Sequence, residues 1–131
     1  MNYNPNLVYR VEHKPLQAVW RALCYLPWAW LTLLAIFTLS VTIHYGHFPS
    51  YGNPEPFILT GIDAFLHTAV MFGIVALYIS IPLWSIIGIF LQRSTTYRFS
   101  KKLIALYLLG ITVYIWLSVS NFAGIIDWIW D

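Results

Sequence analysis

The chain has 131 residues, of which 60% are hydrophobic and 9% charged, with seven Lys and Arg against five Asp and Glu. So little polar surface, with a mean hydropathy of +0.69, excludes an ordinary water-soluble domain and places the chain in lipid. Beyond a net charge of +2 nothing favours nucleic-acid binding, and none is expected.

The first fifteen residues, MNYNPNLVYRVEHKP, are polar and turn-prone. The apolar run behind them, Ala22 to Ile43, is long enough for one crossing, because a hydrocarbon core of roughly 30 Å takes about 20 residues of helix. It is too long for a signal-peptide core and lacks a small-x-small cleavage site, so an uncleaved first helix is expected. Pro27 falls early in that helix and removes one backbone donor, which predicts a mild bend. Cys24 is the single cysteine, so no disulfide can form within the chain and a buried apolar filler is expected.

His44 to Phe57, HYGHFPSYGNPEPF, holds Gly46, Pro49, Gly52, Pro54 and Pro56. These residues break any regular period and predict an ordered turn rather than a flexible linker. The next run, Ile58 to Leu91, would form a continuous helix of roughly 50 Å. It must therefore tilt, bend or protrude, and Pro82 is the natural bend point. A basic stretch, RSTTYRFSKK, leads into the third run from Leu103 to Ile126, with Trp128 and Trp130 beyond it as expected interface markers.

The expected fold is all-α, an integral membrane domain of three transmembrane helices filling residues 1–131, with spans at about 20–44, 60–91 and 102–127. Short connections make consecutive helices antiparallel neighbours. Arg10, Lys14, Arg21, Arg93, Arg98, Lys101 and Lys102 all fall on one side of these spans, while Glu55, Asp63, Asp127 and Asp131 fall on the other. Positive residues are retained inside, so a cytoplasmic N-terminus and an outside C-terminus follow.

Chemistry-bearing residues gather on the acidic side. Asp63 and His67 are four residues apart, hence on one helix face. Asp63 at headgroup level and His67 tied to a neighbouring carbonyl is the favoured arrangement, since intramembrane ionisable groups face protein or water. His44 and His47 form an H-x-x-H at the end of the first helix. Two such rings could face one metal, although Gly46 between them favours an interfacial turn and no metal is expected. Asn121, in the outer part of the third helix, is expected to reach His67 or Asp63. His44, His47, Asp63, His67 and Asn121 would then form one polar cluster near the outer leaflet.

Ala69, Gly73, Ala76 and Ser80 make a small-residue stripe on a different face of the second helix, and Ser120 and Gly124 make a shorter one on the third. Such stripes let helix backbones approach closely, within the chain or between copies. Arg93, Arg98, Lys101 and Lys102 are expected at anionic headgroups. No Walker loop, dinucleotide fingerprint, H-E-x-x-H, G-x-S-x-G or C-x-x-C occurs, so a soluble-type catalytic site is not expected.

In length and helix number the chain resembles the anchor subunits of succinate dehydrogenase and fumarate reductase, a likeness of topology that carries over no site residue. Together these features point to a small multi-pass, non-enzymatic accessory or structural subunit. It would lie in a membrane complex or homo-oligomer, in a bacterial inner membrane, with no cofactor. One alternative is a redox anchor holding haem b or quinone, with His44 and His67 as the axial pair; an oligomeric channel or transporter component is another.

Overall fold

The computed structural model describes residues 14–49, 58–93, 98–120 and 124–130. Helix α1 runs Lys14–Tyr45, α2 Gly61–Arg93, α3 Lys101–Ser120 and the short α4 Ile125–Trp130. The first three are long and apolar enough to cross a membrane. The N-terminal tail and most of the proline-rich turn lie outside the described residues, as does Asn121.

Helix α1 is the centre of the molecule. Its buried stripe, Trp20, Cys24, Pro27, Trp30, Leu34, Phe37 and Val41, follows the three- and four-residue spacing of one helix face. Close backbone packing joins α1 to α2 and α1 to α3. Trp20 lies near Gly88 and Trp30 near Gly73, so α1 and α2 run antiparallel. Trp30 packs edge-on against Tyr114 at 5.2 Å and Trp28 reaches Leu106, so α3 runs parallel to α1. Helices α2 and α3 are antiparallel as expected, but they meet mainly through long side chains. Trp84 stacks on Tyr107 at 4.6 Å, Tyr78 meets Tyr114 at 6.0 Å and Ser80 hydrogen-bonds Tyr107 across 3.2 Å.

Tryptophan over glycine is the means by which α1 holds both neighbours. A Cβ at Gly73 would lie 2.4 Å from Trp30 Cδ1, and one at Gly110 would lie 2.7 Å from Pro27 Cβ. Both indoles then donate into the helix beneath them: Trp30 Nε1 to the Val70 carbonyl at 3.1 Å and Trp28 Nε1 to the Leu106 carbonyl at 2.9 Å. Each N–H thus finds an acceptor, as an indole removed from water requires. Of the expected small stripe, Gly73 therefore seats α1, and Ser80 is buried with its hydroxyl donating to Leu77 O at 2.7 Å. Ala69 and Ala76 are half-buried.

Both internal prolines lie within continuous helices, Pro27 in α1 and Pro82 in α2. Pro27 is buried against α3 at Gly110, so it is a packing residue as well as a missing donor.

Within the third run the described helix α3 covers Lys101–Ser120, and Gly124, with φ of 70°, leads into α4. A left-handed glycine redirects the chain, so Ser120 and Gly124 do not share a helix face. The redirection brings Trp128 inward, where it is fully buried and stacks on Phe37 at 5.2 Å with 18° between the rings. Trp128 is thus a core residue rather than an interface marker.

Candidate functional site

The polar residues of the acidic end are organised by the end of α1 and the start of α2. Gly46, with φ of 74°, closes α1, its N–H donating to the Thr42 carbonyl at 2.9 Å in the left-handed cap that satisfies one terminal carbonyl. This cap leaves His44 on the last turn of α1 and puts His47 beyond the helix, where its Nδ1 lies 3.3 Å from the Phe48 carbonyl. The two rings of the H-x-x-H therefore do not share a helix face.

His44 instead turns to Asp63. Its Nδ1 donates to Asp63 Oδ2 at 2.6 Å, and Ser40, one turn earlier on α1, donates its hydroxyl to Oδ1 at 2.6 Å. Asp63 is 3% exposed. It lies in the first turn of α2, where unpaired backbone N–H groups favour an anion. Its carboxylate is thereby placed where charge is tolerated and both oxygens find donors. Hydrogen bonds to an ionised group contribute about 1.5–3 kcal/mol each, less on the His44 side, because that side chain is 53% exposed.

His67 does not join them. Its Nε2 donates to the Ile129 carbonyl of α4 at 3.1 Å, and its ring lies 5.8 Å from Phe37 and 6.3 Å from Trp128. The i, i+4 spacing of Asp63 and His67 is genuine, yet tertiary partners on α1 and α4 claim each side chain. The expected single cluster is two separate arrangements: Ser40–Asp63–His44, and His67 clamped under α4. Asn121, expected to complete it, lies outside the described residues.

Chemically, Asp63 orients the His44 imidazole through Nδ1, which leaves Nε2 to exchange a proton or meet a ligand. His67 spends Nε2 on a carbonyl, leaving Nδ1. A haem between these histidines would have to use those two remaining nitrogens. Among the described residues, no three His, Cys, Asp or Glu side chains converge as metal ligands.

Ser40 is the residue that sequence reading missed. Its signal was available, because a serine four residues before His44 shares its helix face. At the opposite end, Arg93, Arg98, Lys101 and Lys102 are all exposed.

Fold and site together define an all-helical protein whose three long apolar helices suit a membrane. No family model, curated protein or solved structure matches this chain.

Proposed function

We propose that the protein is a small multi-pass integral membrane protein, N-terminus inside and C-terminus outside, that serves as a non-enzymatic accessory or structural subunit. Its setting would be a homo-oligomer or larger complex of a bacterial inner membrane. The observation that carries this reading is the outward surface of the three long helices. Large apolar side chains are open all along it, among them Ile43, Phe65, Phe72 at 72% exposure and Val119 at 82%. Contiguous apolar surface of this extent calls for lipid or a partner.

The hydroxyls on that surface support the same reading. Thr32, Thr68, Ser85 and Thr112 are exposed, and each donates to the carbonyl one turn back, at 2.8–2.9 Å. A hydroxyl closed on its own helix leaves no open polar group towards hydrocarbon. Asp63, whose carboxylate cannot donate to its own helix, is turned inward to Ser40 and His44.

The test has two readouts. Membranes washed at alkaline pH should retain the chain, with a C-terminal alkaline phosphatase fusion active outside the cell; release by the wash or an inactive fusion overturns insertion or orientation respectively. Extracted directly into polymer-bounded nanodiscs, the protein should migrate in an assembly larger than one 15.2 kDa chain. A lone monomer with turnover of its own overturns the subunit reading.

A further inference from the structure

At the basic end, the side chains of the described residues leave a space between α2 and α3. A cleft of about 350 Å³ opens there, lined by residues that include Trp20, Trp84, Gly88, Gln92, Phe99 and Ile104. Its volume falls within the range of roughly 300–1,000 Å³ usual for small-molecule sites. Gly88 is one reason that it exists: a Cβ there would meet only Trp20 Nε1, at 3.4 Å, so the α2 backbone forms part of the wall. Trp20 supplies another part, stacked on Trp84 at 5.7 Å and met edge-on by Phe99 at 5.0 Å.

The lining is aromatic and aliphatic apart from Gln92 and Ser85, and the Ser85 hydroxyl is already given to the Ile81 carbonyl. The surroundings are the reverse. Gln92 and Phe99 line the cleft, Arg93 directly follows the first and Arg98 directly precedes the second. Lys101 and Lys102 open α3 one turn before Ile104. All four cations are exposed, whereas the acidic residues among those described, Asp63 and Asp127, belong to the other end of the fold. An apolar cleft at the end of the fold that carries these four cations matches a molecule with an apolar tail and an anionic head.

We propose that this cleft binds an anionic phospholipid, an acyl chain lying against Trp20, Trp84 and Gly88 and the phosphate headgroup held by Arg93, Arg98, Lys101 and Lys102. The inference rests on the chain lying in a bilayer, and it adds to general surface attraction a defined place for one lipid. A soluble anion would gain nothing from the aromatic wall, and a neutral lipid nothing from the four cations.

The test uses the full chain in vesicles of equal phosphatidylglycerol and phosphatidylcholine, each carrying a photoreactive acyl chain in turn. Crosslinks from phosphatidylglycerol should concentrate at residues 84–92 and 99–104, and native mass spectrometry in mild detergent should show it retained about fivefold or more over phosphatidylcholine, which a single basic side chain at an anionic headgroup can supply. Gly88→Leu, which fills the cleft without touching a charge, should abolish the selectivity, as should joint Arg93→Gln, Arg98→Gln, Lys101→Gln and Lys102→Gln. Equal retention of both lipids, crosslinks scattered over the apolar faces, or a folded Gly88→Leu chain with unchanged selectivity overturns the site. If Gly88→Leu fails to fold, retention and crosslinking of the unaltered chain decide. A chain that does not float with phosphatidylcholine vesicles overturns the bilayer reading as well, so the two failures are distinct.

Discussion

Trp30 of α1 lies so closely over Gly73 of α2 that a single added methyl would stand 2.4 Å from the indole Cδ1, and the same indole donates to the Val70 carbonyl at 3.1 Å. One glycine thus admits both a close approach and a hydrogen bond.

Gly73→Ala should destabilise the fold by about 1–3 kcal/mol, the usual cost of overpacking, in spite of alanine's better helix propensity. In a Trp30→Leu background the same glycine substitution should cost less, because the obstructing ring is gone. Unfolding in mixed micelles measures both, and additive single effects would show that the two residues are not coupled.

Asp63→Ala should cost more than either His44→Ala or Ser40→Ala, since it strands two donors while each of the others removes one. Losses of about 3–5 kcal/mol for Asp63 and about 1.5–3 kcal/mol for Ser40 follow from hydrogen-bond magnitudes. The half-exposed His44 should fall nearer the lower value. Denaturant titration of the three variants checks the order.

How far this end of the molecule could be read from sequence depends on range. The length and apolar character of α1 and α2 follow from composition alone, because each run needs only its own residues to qualify as a helix. Asp63 pairs with Ser40 and His44 rather than His67 because helical spacing describes one helix, whereas the pairing joins two. Pro27 looks like a bend in isolation, and only the approach of Gly110 makes it a packing residue. The left-handed turn at Gly124 was equally hidden, since it interrupts a run whose hydropathy does not change.

Gly46→Ala should cost about 1 kcal/mol through backbone strain alone, because the position has φ of 74° and nothing within 4 Å of an added Cβ. Gly46→Asn should cost less, as asparagine tolerates the left-handed region. Thermal unfolding of the two variants separates strain from crowding, and equal losses would argue against this account.

Trp128→Ala should remove the stack on Phe37 and release α4 from His67. A loss of about 3 kcal/mol is expected from a large aromatic side chain in a packed core. Cleavage by a protease near residues 124–130 should accelerate well before the rest of the chain becomes sensitive. A C-terminus no more sensitive than in the unaltered chain would mean that α4 is held by other contacts.

Since α1 packs against both α2 and α3, it is a template made first. The later helices can dock on it one at a time as they leave the ribosome, α2 by seating Gly73 under Trp30 and α3 by bringing Gly110 to Pro27. Neither step has to wait for the other. A circular permutant that placed α1 last would leave α2 and α3 to find each other mainly through Tyr78, Trp84, Tyr107 and Tyr114, with their backbone seats unoccupied until synthesis was complete.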